Sequence, residues 1–470
     1  SALALDQGKK LAPYYPFNFQ YADYYALAGD KRQMLLAYLD YLGQQPGIID
    51  AIQQALGSRL DLANANGPDF QLAKEVLLQQ VQLPNAPLVF SQMITWLFVQ
   101  NRDFNGAVTQ VIALDKRSKG AGRDVLELGH ICVENAVFDQ ARRCYQYVLD
   151  LGQENPNFYE AQLSLLNARF QQITQFRSYT NEEIAQSILD FETALQRIGK
   201  GKVSLQLSLQ LAEIRAFYAA QSKKAIEELL LLTKTPGLTD MQRAQVKMLL
   251  ADIYVLDGDI WEASLLYMQI DNDFKFETIG SEAKFKNAKI FYYDGEFEFA
   301  QAQLNVLKES TSKLIANDAI QLAVFITDNY GLDSNYQVML WFATADRMIA
   351  QHHYDSAFVL FDSIQTQFPY HSLADDILYR KGQAMEQRGE WQIALGYYTD
   401  LLKLHGKDIL ADDALFRTAE IQELRLLDKT TAVEAYKKLL IDYKSSLYGA
   451  EARKRIRLLR GDAPSEDDEL

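Results

Sequence analysis

Cysteine is almost absent from this chain, with two among 470 residues, and histidine is scarce, with five. That excludes a disulfide-stapled scaffold and a Cys/His zinc module. Cys132 and Cys144 fall on facing helices of one expected hairpin, where a disulfide is geometrically possible; two buried thiols are the expectation. Proline (10) and glycine (24) are also few, and no stretch alternates Val, Ile and Thr between turn signals as strands would. Leucine, alanine, glutamine and tyrosine abound instead, which is a helical composition. Positive charge is in deficit: 47 Lys and Arg against 62 Asp and Glu give a net charge of −15 and a pI near 4.9. A nucleic acid, whose phosphates need a basic face, is excluded as a partner class, and so is a polybasic membrane anchor. No run reaches the roughly 18 apolar residues of a membrane span. The opening SALALDQGKK has no initiator Met and no long apolar run, so it reads as a processed or trimmed start.

What the chain does have is a repeat. The tetrapeptide LADD begins at Leu373 and again at Leu410, and the stretch LYRKGQAMEQRGEWQIALGYYTDLL (378–402) shows the unit around it. Small residues stand at Gly382 and Ala394, a turn at Arg388-Gly389-Glu390, and bulk at Trp391, Tyr398 and Leu401. Two helices of a hairpin need small side chains where their axes come closest and large ones a turn away. The same frame places the second small residue at 107, 141, 225, 263, 300, 357, 394 and 432, in steps of 34, 84, 38, 37, 57, 37 and 38. The long steps hold one further unit, with NEEIAQSILDFETALQRIG as its second helix, and one insertion. The first small residue falls at Ala22, Thr95, Gly129, Ala251, Ala288, Ala345, Gly382 and Ala419.

This small–turn–large frame resembles the tetratricopeptide repeat, a helix–turn–helix of about 34 residues. The resemblance implies an all-α, right-handed superhelical solenoid, covering nearly the whole chain and strongest over 242–459. The expected organisation is an N-terminal array over 1–308, an insertion or helical connector over 309–337, a C-terminal array over 338–460, and an acidic disordered tail over 461–470. A longer connection or helix extension is expected at 170–180. The C-terminal units, FPYHSLADDILYR, HGKDILADDALFR and YKSSLYGAEARKR, resemble repeats of bacterial envelope proteins. These are the outer-membrane-assembly lipoprotein, the Tol-Pal-associated periplasmic coordinator and large repeat proteins of the Bacteroidetes. That similarity implies an exported, periplasmic or outer-membrane-associated scaffold without catalysis. Ser372, Asp408 and Ser446 are expected to cap the first helices, and the acids of LADD to sit in first turns, where the helix dipole favours them.

The search for chemistry yields little. KRSKGAGRD (116–124) can offer backbone amides to a phosphate, but a solvated inter-hairpin loop is the better reading. RIGKGKVS (197–204) has Val203 where a phosphate loop needs Ser or Thr, and no strand before it. DNDFKFETIGSE (271–282) has Lys275 at a ligand position and Phe276 in place of the glycine of a calcium loop. His352 and His353 diverge by about 100° and cannot share a metal as an i, i+4 pair does. There is no nucleophile elbow, zincin motif or dinucleotide fingerprint, and no cofactor is expected. An (α/α)-barrel glycosidase with paired carboxylates remains an alternative by inventory. So does a glycan-binding outer-membrane lipoprotein of the starch-utilisation type.

Binding is expected in the groove lined by first helices. Met248, Phe285, Phe342, Tyr379 and Phe416 precede the small residue by three positions, while Asp252, Lys289, Asp346, Gln383 and Glu420 follow it directly. Relatives that grip acidic chaperone tails use Lys and Asn in this region, and those residues, Lys289 apart, are missing here. The expected partner is therefore a protein or peptide segment that is apolar and neutral or basic. The aromatic row can equally pack against the preceding hairpin. The charged EARKRIRLLRGD resembles a cap, which favours a monomer over a self-assembling chain.

Overall fold

The computed structural model describes residues 2–12, 15, 17–83, 86–176, 179–308, 313–331 and 335–460. All regular structure among the described residues is helical, mostly in consecutive antiparallel pairs, so the fold is an all-α array of tandem helix–turn–helix repeats. It divides into two compact units, Ser1–Arg197 and Ile198–Leu470.

In the first unit the hairpins are Asn18–Leu27 with Lys31–Gln44, Leu88–Gln100 with Phe104–Ser118, and Arg123–Glu134 with Phe138–Asp150. Between the first two lies a looser pair, Ile49–Gly57 and Pro68–Val81, held by Asp69, whose carboxylate takes Lys31 Nζ at 2.7 Å and the Asp61 amide at 3.1 Å. The expected break at 170–180 is a helix extension, in which Phe158–Gln171 widens into a π-type turn at Gln172–Phe176. Helix Asn181–Ile198 follows, as the sequence predicts. Cys132 and Cys144 are buried free thiols in one hairpin.

The second unit runs through Leu205–Tyr218 with Ser222–Thr233, Asp240–Asp257 with Ile260–Asp273, and Thr278–Asp294 with Phe297–Leu307. After Lys313–Ile326 come Tyr336–Ala350 with Tyr354–Gln367, Ala374–Arg388 with Trp391–Leu404, Ala411–Leu424 with Lys429–Asp442, and finally Gly449–Arg460. The segment 309–337 thus lies inside this unit instead of separating two arrays. It adds one helix, whose Phe325 meets Phe342 at 5.0 Å. Helix Thr278–Asp294 still reaches Tyr336–Ala350 directly, with Tyr292 Oη donating to Asp346 at 3.1 Å. Aromatic packing among Phe297, Tyr330 and Tyr336 closes over the insertion, and that apolar burial is why the array stays continuous. The acidic tail 461–470 lies outside the described residues, as do 309–312 and 332–334 of the connector.

The repeat frame has a direct physical basis. All eight second small residues, Ala107, Ala141, Ala225, Ala263, Ala300, Ala357, Ala394 and Ala432, are completely buried. Where the helices approach most closely even a methyl group does not fit: a Cβ on Gly382 would lie 2.5 Å from the Tyr398 ring, and one on Gly129 2.5 Å from Tyr145. The hairpin turn needs one left-handed residue. Gly29, Gly258, Gly295 and Gly389 supply it, with φ between +76° and +99°, while Arg102, Ala136, Ala220 and His352 adopt it despite their Cβ, at +52° to +61°.

Helix entrances differ from expectation. Leu373 and Leu410 occupy the N-cap positions without side-chain caps. Ser372 instead donates to Asn329 Oδ1 at 2.6 Å, and Asp408 pairs with His405 Nδ1 at 2.9 Å. Ser446 accepts the Tyr448 amide at 3.2 Å, a local turn bond that competes with capping. The burial of Leu373 in the inter-hairpin core wins the N-cap position there.

Candidate functional site

The second unit carries a recurrent polar motif. The large residue of the second helix is often a tyrosine with a fully buried ring, and a buried hydroxyl needs a partner. A carboxylate from the first helix of the same hairpin supplies it: Tyr267 donates to Asp252 at 2.6 Å, Tyr398 to Glu386, and Tyr436 to Glu423 at 2.8 Å. Each acid then meets a base from the next first helix: Lys286 on Asp252 at 2.8 Å, Arg417 on Glu386, and Arg455 on Glu423 at 3.3 Å. Asp346 varies the theme, taking Tyr292 and, at 3.4 Å, Arg380 Nε. Burial, reinforced by these carboxylates, pushes the Tyr267, Tyr398 and Tyr436 phenols far above their ordinary range. Burial disfavours the charged form of Lys286, but Asp252 and Glu282 more than offset it and raise the ammonium. The ladder couples neighbouring hairpins and uses up most of the acids on this face.

One stretch of the face opens into a cleft of about 710 Å³ between helices Asp240–Asp257 and Thr278–Asp294. Its floor is apolar, from Met241, Met248, Leu249 and Ile279, and the Phe276 ring stands at the rim with 88% of its surface exposed. Around the floor stand Asp252, Glu277 and Glu282 against a single cation, Lys286, which is shared by Asp252 and Glu282 at 2.8 and 3.1 Å. The lining is therefore negative on balance, and its apolar surface is wide enough for side chains. Such a site can hold an apolar group beside a cation.

Of the residues marked in the sequence, Met248 and Asp252 line this cleft. The rest of the aromatic row is packing. Phe342 is wholly buried between Phe325 and Phe361, at 5.0 and 5.1 Å. Phe416 is 6% exposed and stacks on Tyr448 at 4.3 Å. Tyr379 lies against Tyr398 at 5.7 Å, and burial raises its phenol. Phe285 is half-buried against the inter-hairpin core. The reason is helical geometry: a residue three positions before the small one shares its face, which is the face pressed onto the partner helix. Asp346 and Glu420 are held by Arg380 and Arg417, the latter at 2.7 Å, and Gln383 accepts from Arg380 at 2.8 Å. The sequence reading missed Leu249, Phe276, Glu277, Glu282 and Lys286. A base two positions before the small residue, at Lys286, Arg380 and Arg417, was the available signal for the ladder; its acids stand 31 to 34 residues earlier.

The other motifs resolve as local structure. In 116–124 the Gly122 amide is taken by Asp115 Oδ1 at 2.9 Å, and Tyr147 Oη donates to Asp115 Oδ2 at 2.8 Å, so the loop is tied by its own carboxylate. Ser204 donates to the Gly199 carbonyl at 2.6 Å and accepts the Gly201 amide at 3.0 Å. In 271–282 the inter-hairpin turn is 274–277, between the end of Ile260–Asp273 and the start of Thr278–Asp294, with Lys284 on Asp271 at 3.4 Å. His352 sits in a hairpin turn and stacks on Tyr354 at 5.7 Å. Among the described residues no group of His, Cys, Asp and Glu is arranged to hold a metal ion, and no helix is long and apolar enough to cross a membrane.

No family profile and no curated protein matches this sequence. Among solved structures the chain is similar to a tetratricopeptide repeat protein from Parabacteroides merdae, at 11% identity and a TM-score of 0.34, covering 63% of this chain and 98% of that one. It is similar to the P58(IPK) TPR domain at 14% and 0.22, covering 88% and 96%. It is also similar to the human IFIT1 dimer with m7Gppp-AAAA, at 12% and 0.29, covering 88% and 94%. At these values the likenesses carry no argument about binding, and the capped oligonucleotide belongs to the IFIT1 structure. The chain's own hairpins, with buried small residues at the crossing and a turn of two to four residues, define the class: a tetratricopeptide-like helical-repeat protein.

Proposed function

We propose that this protein is a non-catalytic interaction scaffold that holds a peptide segment of a partner protein in the cleft between Asp240–Asp257 and Thr278–Asp294. One observation carries the reading: an apolar floor is ringed by three carboxylates and one lysine, and that lysine is already paired with two of them. The segment that complements it has apolar side chains and a basic one. A nucleic acid would bring phosphates against the same carboxylates, which disfavours it. Placement in a bacterial cell envelope is part of the proposal and rests solely on the resemblance of the C-terminal units to envelope repeats.

Short peptides selected from a displayed random library on the purified chain test this reading. Phe276→Ser and Glu277→Lys alter exposed rim residues without touching the core, and each should weaken the selected peptides by about tenfold. Peptides that bind equally to both variants, or a library that yields no binder, would remove the proposal.

A further inference from the structure

The ladder follows a positional rule, and it has a gap. The base stands two positions before the small residue of its first helix in Lys286, Arg380 and Arg417, and the acid it meets stands one position after the preceding small residue in Asp252 and Asp346 and four after it in Glu386. On helix Leu205–Tyr218 the buried small residue is Ala212, thirteen residues before Ala225, the same spacing as Ala419 to Ala432. The acid after it is Glu213. Two before Ala251 on the next first helix stands Leu249, an apolar residue where the rule puts a base.

Leu249 forms part of the cleft wall. Glu213 is half-buried, and among the described residues no cation or hydrogen-bond donor contacts its carboxylate. The charges that act on it are Asp252 and Lys286, both in the cleft lining, and with burial they leave its pKa raised. A carboxylate in this setting is short of one cation, and the open side of the cleft is where a cation can arrive.

Resting on the reading of the cleft as a peptide site, we infer that the bound segment inserts an arginine or lysine side chain over Leu249. Its charged end lies between Glu213 and Asp252, supplying the base that the ladder lacks there. The partner's cation thereby completes an ion-pair series that the chain builds for itself elsewhere. The stem of the side chain packs on Leu249 and Met248, as long basic side chains do on apolar surface.

The test uses a selected peptide that binds the purified chain and is sensitive to Phe276→Ser. Its basic residue is replaced by citrulline, or by norleucine if it is lysine, and each peptide is titrated against the wild type, Glu213→Gln and Leu249→Arg. The charged peptide should lose about tenfold on Glu213→Gln and on Leu249→Arg. The neutral peptide should bind the wild type about tenfold less well and be indifferent to Glu213→Gln. Should Leu249→Arg fail to fold, the Glu213→Gln and neutral-peptide arms decide alone. Rim-sensitive binding that ignores Glu213→Gln and the neutral replacement would overturn this inference and leave the cleft reading standing. Absence of rim-sensitive binding would overturn both.

Discussion

Alanine at Gly382 and alanine at Gly396 should move stability in opposite directions, although both residues lie inside helices of the same hairpin. The Cβ of an alanine at 382 would stand 2.5 Å from Tyr398 Cε1 and 2.7 Å from its Cζ, where carbon contacts are favourable at roughly 3.5–4.0 Å. About 1 Å of movement is therefore required. The ring cannot simply tilt, because Tyr398 is fully buried and its hydroxyl is bound to Glu386, which Arg417 holds in turn. Overpacking of this kind costs about 1–3 kcal/mol, and weakening a hydrogen bond to a charged group adds roughly 1.5–3 kcal/mol. Alanine's better helix propensity returns about 1 kcal/mol. The net expectation for Gly382→Ala is a loss of about 1.5–5 kcal/mol. At Gly396 nothing lies within 4 Å of the new Cβ, so only the propensity gain of about 1 kcal/mol remains. Urea unfolding followed by circular dichroism reads both, and exchange of backbone amides in Ala374–Arg388 localises the loss. Equal stabilisation by both alanines would refute the close helix crossing on which the repeat frame is built.

Asp376, in the first LADD, is pushed up to about 7 by burial and then by Asp375, against the pull of Arg380. Because its folded pKa exceeds the ordinary 3.8, its contribution to stability is complete below that value and is lost as pH rises through about 7. Asp376→Asn should therefore gain on the wild type between pH 5 and pH 8, by about 3 kcal/mol at most, and parallel urea midpoints at the two pH values would contradict it. In the first unit, Ala136 holds a left-handed turn at φ +58° with an exposed side chain. Ala136→Gly should raise stability by up to about 1 kcal/mol, the relief of Cβ strain less the entropy of glycine; a lower urea midpoint would show the turn to be unstrained.

The hairpins were legible in the sequence because steric need is local: Ala263, Ala300, Ala357 and Ala394 had to be small wherever two axes cross, and all are fully buried. The cleft was half legible. Met248 and Asp252 were marked, yet Phe342 and Phe416 were marked with them, because aromatic character says nothing about which helix face is pressed inward. Position relative to Gly382 or Ala345 would have told, since residues three apart share a face. Ser372 and Asp408 look like caps by residue type, but packing of Leu373 overrides the first and His405 takes the second. The insertion at 309–337 looked like a divider because the step lengthens there. Its apolar residues, Phe325 and Tyr330 among them, instead seal it into the array. The ladder was hidden because its partners are paired across hairpins, at offsets that vary from 31 to 34 residues.

Amide exchange of the whole chain, measured with and without a selected peptide carrying one basic residue, tests the central claim most directly. The account predicts new protection concentrated in Asp240–Asp257 and in 276–286, with the helix Gly449–Arg460 unchanged. Protection confined to other hairpins, with the cleft helices exchanging as in the free chain, would contradict it.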